Sequence, residues 1–304
     1  MKIVFLGTPD FAVASLRAIV EAGYNVVGVI TAPDKPAGRG MHMQQSAVKK
    51  YALEKGLHIM QPEKLRNPEF LAELKSLKAD LQVVIAFRML PEVVWNMPPL
   101  GTINLHASLL PDYRGAAPIN WAIINGETKS GVSTFFLKHE IDTGDILHKA
   151  ECPIEPTTNA GELHDTLMEL GAKVMLESLH KIEQGNTKGI PQGNDSSKIA
   201  PKIFKEHCLI QWNKTGQSIL NLIRGMNPYP ASHTVFEGKQ MKVFTARFEP
   251  IENQQQVFGS AHTDHKTYLK IACLDGFILL LDVQLESKKR MDIETFLRGY
   301  KPNS

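Results

Sequence analysis

Cysteine is scarce: the 304 residues hold three, Cys152, Cys208 and Cys273, far apart and with no CxxC spacing. That excludes a disulfide framework and a cysteine-based metal site, and it predicts buried free thiols in a reducing compartment. No long uncharged apolar run is present, which excludes a membrane-spanning helix of ordinary length. Neither charge sign dominates, with 34 Lys and Arg against 32 Asp and Glu and a net charge of +2. Such a balance does not require a nucleic-acid partner, and it leaves room for one that uses a local basic patch. The chain opens directly on the strand-like Lys2–Leu6, with no charged leader and no Arg- and Ser-rich transit segment. A soluble cytoplasmic protein with no membrane partner is therefore expected. Neither a GxGxxG after the first strand nor a GxxxxGK[ST] occurs, so the usual dinucleotide and P-loop fingerprints are missing. No internal repeat or low-complexity segment stands out.

What is present is an apolar content of 43%, enough for a conventional core in one large or two ordinary domains. Ile3–Leu6 reads as a buried strand, and Thr8 and Pro9 as the cap and first residue of a helix. Ala12, Leu16, Ile19 and Val20 give that helix an apolar stripe, Gly23 stops it, and Val26–Thr31 is the next strand. Strand, helix, strand predicts a right-handed parallel crossover. Asp80–Phe87 and Thr102–Leu105 read as central strands, with Val132–Leu137 and Ile146–Cys152 completing the sheet. Asn159 followed by Glu162 predicts a capped helix reaching about Ile182. Gln184–Lys205 is polar and rich in Gly, Asn, Ser and Pro, a domain boundary by composition. Beyond a short helix after Thr215 the pattern turns to β. One hairpin is expected around Glu237-Gly238-Lys239 and another around Leu274-Asp275-Gly276, with a last helix over about Asp292–Leu297. About five short strands in this part suggest a small barrel. The expected division is residues 1–183 as a catalytic domain, 184–204 as linker and 205–304 as a second domain.

The chemistry concentrates in Gly101–Pro118, GTINLHASLLPDYRGAAP. Period two puts Asn104 and His106 on one face of a strand. The strand then breaks into the loop Ser108-Leu109-Leu110-Pro111 and Tyr113-Arg114-Gly115, and strand ends of this kind carry the chemistry of open α/β sheets. Further on, Asp142-Thr143-Gly144-Asp145 sets a carboxylate in a glycine turn. Taken singly, each residue has an ordinary structural reading: Asn as a turn residue, His as a hydrogen-bonding side chain, Asp as a turn former. Taken together they offer an oxyanion donor, a proton carrier and an anion that orients it.

The combination of Asn-x-His, SLLP and a downstream Asp-Thr-Gly-Asp resembles the folate-dependent formyltransferases. Gly7-Thr8-Pro9-Asp10-Phe11, the Pro36-Ala37-Gly38-Arg39-Gly40 loop and the chain length narrow the resemblance to members that act on methionyl initiator tRNA, over nearly the whole chain. The resemblance implies a Rossmann-like, mostly parallel sheet followed by an OB-like β-barrel that binds tRNA. It also implies transfer of the formyl group of 10-formyltetrahydrofolate to the amino group of methionyl initiator tRNA, for translation initiation, with no metal and no obligate protein partner. Direct attack through a tetrahedral intermediate suffices, with Asn104, His106 and Asp142 as catalytic residues. Either His106 or Asp142, directly or through water, can take the amine proton. Ser108, Leu109, Leu110, Pro111 and Leu90 are expected to hold the folate, and Tyr113-Arg114-Gly115 to shape the entrance. Lys35 and Arg39, in the polar loop Pro33–Gln45, are expected to contact tRNA. One departure is evident: the family commonly has Ala-Tyr-Gly, a variable residue, then Ile-Leu-Pro. Here Ala86-Phe87-Arg88-Met89-Leu90-Pro91 is one residue shorter, with Arg88 in place of glycine.

Two other readings stand beside this one. One is formyl transfer to a small amine such as a sugar amine or glycinamide ribonucleotide, which a second domain disfavours. The other is a catalytically silent RNA- or nucleotide-binding protein, against which Asn104, His106 and Asp142 argue together. Lys288-Lys289-Arg290 and a mild basic excess after Lys205 suit RNA without requiring it.

Overall fold

In a computed structural model, which describes residues 1–37, 42–193, 198–252 and 256–300, the first strand is β1 (Lys2–Gly7), with Ile3–Leu6 all fully buried. A strand with no polar alternation is covered on both faces, as parallel strands are. Next come α1 (Asp10–Glu21), β2 (Asn25–Ile30), β3 (Lys35–Ala37), β4 (His42–Gln44), α2 (Ala47–Glu54), β5 (Ile59–Met60), α3 (Pro68–Ser76), β6 (Leu81–Ile85), α4 (Glu92–Trp95) and β7 (Thr102–His106). After them follow β8 (Arg114–Gly115), α5 (Pro118–Ile124), β9 (Lys129–Phe136), β10 (Ile146–Pro153) and the long α6 (Ala160–Glu183).

The main sheet has the order β10-β9-β7-β6-β1-β2-β5. The strands from β5 to β7 pair in parallel, and β9 joins β7 antiparallel. The chain winds outward from β1 through β2 to β5, then returns to the other side of β1 as β6 and β7. The reversal opens a crevice at the carboxyl ends of β1 and β6, the place where open α/β sheets bind ligands. On one face Val4, Leu6 and Ile30 pack with Phe70 and Leu74 of α3, and with Val84 and Val94. Alternation turns Ile3 and Phe5 to the other face.

The remaining elements are β11 (Ile199–Ala200), a 3-10 turn (Lys205–Cys208), α7 (Gly216–Met226), β12 (Ser232–Phe236), β13 (Lys239–Pro250), β14 (Ala261–Thr263), β15 (Leu269–Cys273), β16 (Gly276–Leu285), β17 (Met291–Asp292) and α8 (Ile293–Gly299). Of these, β12–β17 build a small barrel-like antiparallel sheet of order β12-β13-β16-β15-β14, with β17 on β16. Its core joins Met241, Val243, Ile271, Ile278 and Leu280 to Ile219 and Ile223 of α7 and to Phe296 of α8. The chain divides into two compact units. One is 1–115, 131–152 and 164–199; the other is 116–130, 153–163 and 200–304.

Several details differ from expectation. The polar Pro33–Gln45 stretch carries the antiparallel pair β3–β4, which its low apolar content conceals. α1 starts one residue late, with Pro9 at the cap and no side-chain cap bond. The β12–β13 turn is only Glu237-Gly238, both at positive φ (47° and 75°), the geometry that matches the strands' own twist. α5 was not expected, because seven residues are too few to show a stripe. Cys152 is only half-buried; Cys208 and Cys273 are buried, and burial pushes both thiols up, away from the reactive thiolate.

The expected start of α6 is present in full. Asn159 Oδ1 accepts from the backbone N–H of Gly161 (2.9 Å) and Glu162 (3.1 Å), and Glu162 Oε2 accepts from Asn159 N (2.9 Å). Asn159→Ala should lower stability by about 1 kcal/mol, measured as a shift in the urea midpoint at constant slope.

Candidate active site

β7 runs between β6 and β9, and its alternation sorts its side chains. Leu105 faces α6, whose Gly171 has no room for a Cβ: one there would lie 2.6 Å from Leu105 Cδ2. Asn104 and His106 take the opposite face. The Asn104 carboxamide has no hydrogen-bond partner among the described residues, so its donor is uncommitted.

His106 is 7% exposed. Its Nε2 donates to the carbonyl of Tyr113 (2.8 Å), and its Nδ1 lies 3.8 Å from Asp142 Oδ2. A carbonyl only accepts, so Nε2 carries a proton and Nδ1 is the edge that can exchange one. The separation from Asp142 is too long for a hydrogen bond and short enough for an ion pair. Asp142 Oδ2 also accepts from Gly115 N (3.0 Å). Asn104, His106 and Asp142 are thus gathered at one strand end. Tyr113 (φ 61°) and Asp142 (φ 54°) both occupy the left-handed region, which costs a non-glycine residue about 1 kcal/mol or more.

The loop after β7 is held from within. Ser108 Oγ donates to Asp112 O (2.6 Å), and the Ser108 carbonyl accepts from Ser133 Oγ (2.7 Å). Ser133 Oγ in turn accepts from Leu110 N (3.0 Å), and Leu110 O accepts from Lys149 Nζ (3.0 Å). The Leu110 side chain is fully buried with Phe135 and Ile146. Leu109 and Pro111 are half-buried, and Leu109 lies over Gly131, where a Cβ would come within 2.6 Å of its Cδ2. Leu90 and Phe87 pack on the cluster under α3. Ala86, at the end of β6, is at φ 47°. Arg88 donates from Nη1 to Glu63 O (2.8 Å) and from Nη2 to Pro62 O, so its guanidinium is committed to that turn.

Lys35 is exposed on β3; Arg39 lies outside the described residues. Among the described residues, no group of three or more His, Cys, Asp and Glu side chains could hold a metal ion, and no helix is long and apolar enough to cross a membrane.

Sequence reasoning missed the groups that fix the pair. The Tyr113 carbonyl and the Gly115 N–H are backbone atoms without a side-chain signature. Gln192, from the stretch read as linker, also reaches the Asp142 turn, and a glutamine in a polar segment looks like any solvated one.

Residues 1–179 match the family Formyl transferase, and residues 202–301 match Formyl transferase, C-terminal domain. A methionyl-tRNA formyltransferase of Parabacteroides distasonis is 55% identical over 312 residues, covering 99% of this chain and 96% of that protein. An N-formyltransferase from Helicobacter canadensis, solved with folinic acid and dTDP-3-aminofucose, has the same fold. Its TM-score is 0.70 at 21% identity, over 96% of this chain and 100% of that one. HypX from Aquifex aeolicus aligns with all of this chain at TM-score 0.67 and 20% identity; the chain spans 49% of its length.

The Ser133 hydroxyl serves two buried backbone groups at once. Ser133→Ala should cost roughly 1–3 kcal/mol, the penalty for stranding buried hydrogen-bonding groups. The check is a thermal melt, with the loss expected to be much larger than in the exposed control Ser76→Ala.

Proposed function

The chain belongs to the formyl transferase family, and we propose that it transfers the formyl group of 10-formyltetrahydrofolate to the amino group of methionyl initiator tRNA. The observation that carries this reading is the uncommitted Asn104 amide on the same strand face as an imidazole fixed between a carbonyl and a carboxylate. That donor set fits a bound N-formyl group: a free N–H for the oxygen and an exchangeable ring nitrogen for the amine proton. The 55% identical relative named for this acceptor supports the choice of tRNA.

When bound, 10-formyltetrahydrofolate supplies a formyl carbon attached to nitrogen and open to attack by an amine. Asn104 donates to the formyl oxygen as negative charge gathers there, a contribution of about 2.7–4 kcal/mol for a donor of this type. His106 keeps its Nε2 proton on Tyr113 O and accepts the proton of the attacking amine at Nδ1. Asp142 faces the charge that then forms on the ring. The same Nδ1 returns the proton to the departing nitrogen. Burial of His106 keeps bulk water away from these steps.

Leu109, Pro111 and Leu90, each half-buried, form a wall for the folate by shape. The buried Ser108 and Leu110 back it from within, the hydroxyl and carbonyl of Ser108 and the backbone N–H and carbonyl of Leu110 being already paired inside the chain. Lys35 and Arg39 belong to the acceptor side, where cations near phosphate assist RNA binding. Residues 1–183 act as the catalytic part, 184–204 as a connection, and 205–304 as a tRNA-binding domain.

The test is an assay with 10-formyltetrahydrofolate and either charged initiator tRNA or a free sugar amine. Formylation of the charged tRNA is expected; efficient formylation of the sugar amine with none of the tRNA would overturn the acceptor. In the same assay Asn104→Ala, His106→Ala and Asp142→Ala should each slow turnover by about 10²-fold or more while remaining folded. Parental turnover in any of them removes that residue from the mechanism.

A further inference from the structure

Gln192 lies beyond residue 179 and before residue 202, outside both matched regions. Its backbone is fixed nearby by a reciprocal pair of bonds, Ile146 N to Ile190 O and Ile190 N to Ile146 O, both 2.8 Å. Its side-chain amide reaches the proposed active site. Nε2 donates to the carbonyls of Asp142 (2.9 Å) and Gly144 (2.7 Å). Oε1 accepts from Arg114 Nε (3.1 Å) and Nη2 (2.8 Å). Both donors and both acceptor positions of the amide are filled, which also settles which end is nitrogen.

The turn it holds has reason to need a clamp. Asp142 sits at φ 54°, and its neighbour Ile141 is 61% exposed. Gly144 lies so close to Phe136 that a Cβ would be 1.5 Å from that carbonyl. Among the described residues the Asp142 carboxylate has one backbone donor, Gly115 N. Arg114 stands between the two residues that hold the pair: Tyr113 gives its carbonyl to His106, and Gly115 gives its N–H to Asp142. Gln192 therefore ties the main chain of the Asp142 turn to the segment that orients His106.

We propose that Gln192 is a positioning residue for formyl transfer, holding the Asp142 carboxylate in place against His106 Nδ1. The proposal rests on the roles given above to His106 and Asp142. A glutamate at 192 keeps an acceptor for Arg114 but presents oxygen to two carbonyl oxygens, so it breaks the clamp at nearly constant volume.

The test uses the full chain and a double-mutant cycle. Gln192→Ala and Gln192→Glu should each lower kcat by roughly 10- to 100-fold, the scale of a small misplacement of reacting groups. KM for 10-formyltetrahydrofolate and for charged tRNA should stay within about twofold. Adding Gln192→Ala to Asp142→Ala should lower kcat no further, because the glutamine acts through the aspartate. The His106 ring signals in a nitrogen NMR spectrum should move in Gln192→Ala toward their positions in Asp142→Ala. Losses that multiply in the double variant overturn the clamp, as does parental kcat in Gln192→Glu. A rise confined to KM for tRNA also overturns it. Parental kcat in Asp142→Ala instead overturns the site assignment beneath it, so the two failures are distinguishable.

Discussion

The geometry of this site depends on one hydrogen bond, from His106 Nε2 to the carbonyl of Tyr113. It commits one ring nitrogen and leaves the other, Nδ1, as the atom at which a proton can come and go. The bond forms only because the chain after β7 turns back on itself within seven residues and Tyr113 accepts a left-handed conformation. The same turn presents Gly115 N to Asp142. A three-residue piece of backbone thus sets an imidazole from one strand end against a carboxylate from a separate turn.

That piece is rigid because its surroundings are. Ser133 on β9 bridges Ser108 O and Leu110 N, Lys149 on β10 caps Leu110 O, and the Leu110 side chain fills the core beside Phe135. The antiparallel neighbour of β7 therefore supports the loop while the parallel neighbours build the crevice. A reactive pair on such a scaffold keeps its geometry without reorganising during the reaction, which is the physical basis of electrostatic preorganisation.

Much of this was legible in the sequence, and the reasons are local. β1 declares itself by an unbroken apolar run and β6 by one interrupted at Gln82, and Asn104 and His106 by period two at a strand end. The Asn159–Glu162 box and the second hairpin domain follow from turn and cap chemistry. What could not be read depends on long-range backbone geometry. The Tyr113 carbonyl has no side-chain signature. The partnership of Arg114 with Gln192 spans residues far apart in the chain, and Gln192 sits among residues whose composition suits a solvated linker. β3 and β4 are too short and polar to reveal themselves by pattern. Leu110 reads as a lining residue from its motif, yet its side chain belongs to the core.

The proposed proton transfer requires that Nε2, and not Nδ1, carry the proton of the neutral His106 ring. The most direct measurement is nitrogen NMR of the full-length protein with labelled histidine, the His106 signals being assigned by comparison with His106→Ala. A neutral ring protonated at Nε2, with Nδ1 carrying the lone pair, is expected. A neutral ring protonated at Nδ1 would overturn the mechanism, because the Tyr113 carbonyl would then face a nitrogen with nothing to donate.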